Sequence, residues 1–204
     1  IVNPVKNESG GGSSFILSFK NSYLKETSKA LYDYADTNGL PFNFTDIYGK
    51  ITLHSKNGSK VNFYGFHYRD NVDDFKAISD FNWKSTGFGA NFLVIPGRSP
   101  VLIEGHIAYS DYKMALTEDL SPERTSSING FDIGLDFSYF FGRDELKYGI
   151  QLLGSTTDYY FINAANRVIQ QRQNTTEIGA FLKYKAVVGK FIIEPTFRLQ
   201  SYAS

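Results

Sequence analysis

The chain has 204 residues, and 21 Lys+Arg balance 21 Asp+Glu, leaving a formal net charge of zero and no cysteine. The neutral balance argues against a nucleic-acid binder that works by neutralising phosphates. Missing thiols exclude a disulfide framework, a thiolate metal site and a cysteine nucleophile, and no apolar run approaches the roughly 20 residues of a membrane-spanning helix.

Residues 1–14 are polar and Gly/Ser-rich, so they read as a loop or linker without the pattern of a secretory signal. From Phe15 to Ser204 the chain reads as one unit in which period two dominates and helical periodicity is nearly absent. Strands are expected, in order, over 14–26, 42–56, 60–69, 81–95, 100–114, 128–141, 146–161, 174–188 and 190–202. The clearest is Phe131 to Phe141, where Phe131, Ile133, Leu135, Phe137, Tyr139 and Phe141 alternate with Asp132, Gly134, Asp136 and Ser138. At eleven residues it is about twice the usual globular strand of 5–6. Tight turns are expected at Asn57-Gly58, Gly97-Arg98, Gly142-Arg143-Asp144 and Val188-Gly189-Lys190, where Gly and Asn supply hairpin backbone angles. Long polar connections are expected near 69–80, 113–127 and 163–174. Short turns would then share one end of the sheet and long loops the other.

The implied fold is all-β, an antiparallel meander of about 8–9 long strands. Strands of ten or more residues, apolar on one face and polar on the other, suit a transmembrane barrel. Only closed sheets or helices satisfy every backbone group in lipid. Aromatic girdles would account for the 16 % aromatic share, and a polar lumen for the mean hydropathy of −0.28. A soluble lipocalin-like barrel or β-sandwich is the alternative, with shorter strands and less regular turns.

Four stretches resemble barrel segments of the TonB-dependent receptors of Bacteroidetes-type bacteria. They are 40–53 (LPFNFTDIYGKITL), 99–112 (SPVLIEGHIAYSDY), 145–150 (ELKYGI) and 194–203 (EPTFRLQSYA). The resemblance extends over about Phe15 to Ser204 and rests on strand patterns, not on a catalytic motif. It implies a bacterial outer-membrane, multi-pass protein whose 22-stranded barrel is closed by an N-terminal plug. It also implies nutrient uptake energised by a TonB-type coupling protein, with a surface lipoprotein or larger outer-membrane complex as a further partner. No plug or coupling box is recognisable, so the chain is expected to be an internal piece of a longer receptor. A small stand-alone outer-membrane barrel, structural or adhesive, is a second possibility, and a soluble ligand-binding β-barrel a third.

No enzyme is expected, and no cofactor. Gly-x-Ser-x-Gly is absent, and Gly87-Phe-Gly89 lacks the third glycine of a dinucleotide loop. Asp132 and Asp136 are about 13 Å apart along one strand, too far for an acid/base pair. Acidic pairs Asp73-Asp74 and Asp144-Glu145 fall in a loop and a turn, where charge is solvated and no calcium site is expected. His54, His67 and His106 are scattered over three strands. Alternation assigns Glu104, His106, Asp132, Asp136, Lys147, Gln151, Glu177, Lys183, Glu194 and Arg198 to the lumen. It assigns Phe131, Ile133, Leu135, Phe137, Ile178, Leu182, Ile193 and Phe197 to lipid. Rings beside the long loops (Tyr64, Phe66, Tyr68, Phe75, Tyr109, Tyr112, Tyr159, Tyr160, Phe161) suit either an interfacial girdle or a stacking surface for a sugar or peptide. The girdle is the favoured role.

Overall fold

A computed structural model describes residues 10–33, 39–75, 78–97, 99–118, 121–163 and 165–204, with backbone alone at 74–75 and 78–79. Most of the N-terminal linker, Arg98 of one expected turn, and the side chains of Asp74 and Phe75 lie outside that description. The elements in chain order are β1 (Gly12–Asn21), α1 (Leu24–Leu31), β2 (Phe42–His54), β3 (Lys60–Phe75), β4 (Ile78–Val94) and β5 (Val101–Thr117). There follow β6 (Arg124–Phe141), β7 (Asp144–Ile162), β8 (Val168–Val188), β9 (Phe191–Ile193) and β10 (Thr196–Ala203).

Each strand pairs antiparallel with the next, giving a single meander sheet in the order β1 to β8, then β10, with β9 also on β8. β9 and β10 keep one register against β8. They are one strand crossed by Pro195, which has no N–H to donate but whose carbonyl accepts the Tyr184 N–H at 3.1 Å. The fold is therefore the expected all-β meander of nine strand positions. Among the described residues no ladder joins β1 to β10.

The tight turns have the backbone that their glycines allow. Gly142 (φ 67°) and Gly189 (φ 63°) each occupy the first central position of a two-residue hairpin loop, as a II′ turn requires. The opposite end differs from expectation. β3 and β4 run on until Phe75 pairs with Ile78, and β7 and β8 until Ile162 pairs with Val168. Polar composition alone suggested loops there. Backbone ladders close regardless of side-chain polarity, and with polar residues on both faces (Gln170 to Thr176) no period two survives to mark a strand. β1 begins at Gly12, inside the expected linker, and ends at Asn21, short of the expected 26. α1 follows, with the Leu24 N–H donating to Ser22 Oγ at 3.2 Å and the helix tied down by Ser28 Oγ accepting the Leu40 N–H at 2.7 Å.

Paired residues of a ladder point to one face. One row across eight strands reads Phe15, Ile51, Phe63, Ala90, Ile107, Ile133, Leu152, Ile178. A row on the opposite face reads Thr52, Asn62, Asn91, His106, Gly134, Gln151, Gly179, Gln200. Along the first face, rings lie over glycines of the next strand: a Cβ at Gly105 would strike Phe92, and one at Gly154 would strike Phe131. Among the described residues no hydrophobic side chain is buried, while Leu17 (73 %), Phe88 (60 %), Ile150 (59 %) and Phe197 (61 %) stand exposed. Soluble domains of this size bury an apolar core, and contiguous exposed apolar surface marks a contact with lipid or protein.

Candidate functional site: two faces of one sheet

The register brings nine of the ten residues assigned to the lumen onto one face and all eight assigned to lipid onto the other; the tenth, Glu194 between β9 and β10, joins the first face through Lys183 and Lys185. On the polar face the charges meet across strands. Lys147 Nζ lies 3.5 Å from both Glu104 and Asp136, so β7 reaches past β6 to β5. His106 Nε2 is 3.2 Å from Asp132, which also accepts a 3.1 Å hydrogen bond from Gln151 Nε2. Arg198 is 3.6 Å from Glu177, and Gln200 Nε2 donates to the same carboxylate. Glu194 holds Lys183 at 2.6 Å and Lys185 at 3.9 Å. An amide chain continues the belt: Thr52 Oγ1 donates to Asn62 Oδ1 at 2.7 Å, and Asn62 Nδ2 to Asn91 Oδ1 at 2.6 Å. Asn62 is buried at 6 % exposure with its amide satisfied on both sides.

Two open depressions flank His106. One of about 440 Å³ is lined by Lys60, Asn91, Glu104, His106, Asp136 and Lys147 among others. The other, of about 190 Å³, includes Gln151, Phe181 and Arg198. Such a surface offers alternating charged and amide groups for polar contacts. Among the described residues no group of three or more His, Asp and Glu side chains is arranged to hold a metal. Asp132 and Asp136 share a face but serve different partners, Gln151 and His106 against Lys147. Of the histidines, His54 and His106 share the polar face, and His67 lies on the other, Nδ1 at 2.8 Å from Thr86 Oγ1.

The apolar face is a band with edges. At the short-turn end it closes on rings: Phe137 stacks with Tyr148 at 5.3 Å between centroids, Phe141 with Tyr184 at 5.9 Å, and Tyr139 packs on Phe141 at 5.6 Å. Asp144, at the tip of that hairpin, accepts the Val187 N–H and the Tyr184 hydroxyl, each at 2.9 Å. Those two donors hold its carboxyl below the ordinary carboxylate range. At the other end the band closes on Phe88, Tyr109 and Phe131, paired across β4, β5 and β6. Phe88 and Tyr109 lie 5.6 Å apart.

Beyond that edge the two faces exchange character. The former apolar face continues as Arg69, Lys84, Lys113, Ser127, Asp158 and Arg172 across six strands. The former polar face becomes ring-rich. Phe81 and Trp83 lie 4.9 Å apart, Tyr159 and Phe161 6.4 Å apart, and the Arg124 guanidinium sits 4.9 Å above Phe161. Tyr64, Phe66, Tyr68, Tyr112, Tyr159 and Phe161 share this second face, whereas Tyr109 and Tyr160 do not. Most of the loop-flanking rings are thus on the face opposite the apolar band, which is a correction to a single girdle. Trp83, Phe81 and Arg124 are not marked by the alternation along their own strands. The signal was the parity of each hairpin pairing, which places Trp83 opposite Met114 and Asp70. No protein-family model matches the sequence, and no curated protein matches it.

Proposed function

We propose that this chain forms part of the wall of an outer-membrane β-barrel of the TonB-dependent-receptor kind, a nutrient-uptake channel whose polar inner face packs against a plug. One observation carries this: an exposed apolar band on one face of the sheet, backed by a cross-strand belt of paired charges, with no apolar core among the described residues. The dimensions agree. Phe131 to Phe141 spans ten residue steps, about 34 Å of strand, which at the usual 35–45° tilt projects to roughly 25 Å, the height of a barrel's lipid-facing band. The ion-paired belt then lines the lumen, and the ring-rich upper surface faces the mouth, where aromatic planes suit sugars or peptides. The TonB-dependent assignment draws on the four resembling stretches. It brings with it a plug, further strands against the free edges of β1 and β10, an energy-coupling protein and a surface lipoprotein as partners.

Because the chain has no cysteine, single-cysteine variants at 131 to 137 test the membrane assignment cleanly. In phosphatidylcholine vesicles, Cys at 131, 133, 135 and 137 should resist a water-soluble maleimide and react with a lipid-soluble one. Cys at 132, 134 and 136 should do the reverse. Equal reactivity at both parities in vesicle-inserted protein would sink the assignment. Cysteine pairs scanned between β1 and β10 separate a stand-alone barrel, in which the pairs crosslink within one chain, from a segment flanked by other strands, in which they do not.

A further inference from the structure

We propose that Arg69, Lys84 and Lys113 form a binding site for the phosphate groups of an anionic lipid headgroup, on the outside of the wall just beyond the apolar band. The three are far apart in sequence, but register sets them side by side: Arg69 pairs with Lys84 and Lys84 with Lys113. Neighbouring strands are about 4.8 Å apart, so the row presents three cations over roughly 10 Å. All three side chains are exposed. Like charges directly opposite each other repel, and elsewhere on this sheet clustered charges are neutralised, as Lys147 is by two carboxylates.

Among the described residues none of these three cations has a carboxylate within 4 Å. Arg69, Lys84 and Lys113 instead line an open groove of about 400 Å³ with His67, Asn82, Ala115 and Glu123. Asp111, two residues along β5 from Lys113, faces the same side, as do Asp73 and Asp80 four residues along β3 and β4, and Glu123 lines the groove, but none of these carboxylates comes within 4 Å of the three cations. An anion bridging the row relieves the repulsion and supplies the missing partner.

Position selects the anion's source. Lys84 lies four residues past Phe88, and Lys113 four past Tyr109, on the face that carries the band. Four steps are about 13 Å of strand and, at the usual tilt, roughly 9 Å along the membrane normal. Long cationic side chains reach back toward the interface, so their charges fall in the headgroup layer above the hydrocarbon. Free phosphate would find the same cations but no acyl chains to lie against Phe88 and Tyr109.

The inference rests on the reading that the band meets lipid, and its test keeps the two separable. The full chain in dodecyl maltoside is titrated by calorimetry with didecanoyl phosphatidic acid, didecanoyl phosphatidylcholine and inorganic phosphate. Phosphatidic acid should bind at least tenfold tighter than either of the others. The triple variant R69Q/K84Q/K113Q should lose about tenfold or more of that affinity, while Lys190→Gln, at the opposite end of β8, should leave it unchanged. Each cation near an anionic surface is worth about a fivefold factor. Insertion of wild type and triple variant into phosphatidylcholine vesicles, with equal binding of phosphatidic acid by both, overturns the site and leaves the membrane reading standing. Equal affinity for inorganic phosphate and phosphatidic acid overturns the lipid assignment. Equal labelling of cysteines at 131 and 132 by a water-soluble maleimide in vesicle-inserted protein counts against the membrane reading itself.

Discussion

Leu135→Arg places a charge on the face that carries the apolar band, at a depth that can be worked out. Leu135 pairs with Gly105 and Ile150 and lies four residues from the ring edge at Phe131 and six from that at Phe141. Those separations are about 13 and 20 Å of strand, or roughly 10 and 15 Å along the normal at a tilt near 40°. The position is therefore within a few ångströms of the middle of the band. Arginine at the midplane of a barrel's lipid face costs about 2–4 kcal/mol, which is roughly 30- to 1000-fold in the folded-to-unfolded ratio. Asn129→Arg, on the same face but two residues beyond Phe131, should cost about 0–1 kcal/mol. The assay is urea unfolding of the full chain in phosphatidylcholine vesicles, read by the heat-dependent shift in electrophoretic mobility, for arginine at 129, 131, 133, 135, 137 and 139. The loss should rise to a maximum near 133–137 and fall on both sides. A flat profile, or a Leu135→Arg protein as stable as Asn129→Arg, would refute the placement of that face in lipid.

Two further outcomes follow from the same geometry. Lys147 bridges Glu104 and Asp136 from half-exposed positions, so a double-mutant cycle of Lys147→Ala with Asp136→Ala should give a coupling of about 0.5–1 kcal/mol that shrinks at high salt. Coupling indistinguishable from zero at low salt would remove the belt from any account of stability. Asp144 has its carboxyl held below the ordinary range by the Val187 N–H and the Tyr184 hydroxyl. Its contribution to the hairpin is thus complete above the unfolded-state carboxylate pKa and is lost as pH falls through the lower folded value. The protection factor of the Val187 amide, taken against its intrinsic exchange rate at each pH, should fall on acidification over that window, and Asp144→Asn should abolish the dependence; an Asn variant with the same acid profile would assign it to another group.

Much of the fold was legible because period two is a local property. Phe131 to Phe141 and Ile178 to Val188 each declare two faces without reference to any other strand, and Gly142 and Gly189 mark the turns that join their hairpins. Legibility failed where locality failed. Gln170 to Thr176 are polar on both faces, so only the ladder to β7 shows them to be strand. The helix-compatible residues of α1 after Ser22 read as a continuation of the neighbouring strand, and its anchor joins Ser28 to Leu40, residues 12 apart in sequence.

The sequence by itself determined the class of structure and the chemistry of each face: alternation decides which side chains travel together along a strand, and that follows from backbone geometry alone. The tertiary structure decided which residues of different strands become neighbours. Nothing local distinguishes Arg69, Lys84 and Lys113 from any other exposed cations, or Trp83 from a girdle ring. Register, set by hairpin turns many residues away, shifts a whole strand's side chains to the opposite face when it slips by one residue. The cation row, the exchange of character above the band and the pairing of Lys147 with two carboxylates are all consequences of register, and register exists only once the strands are paired.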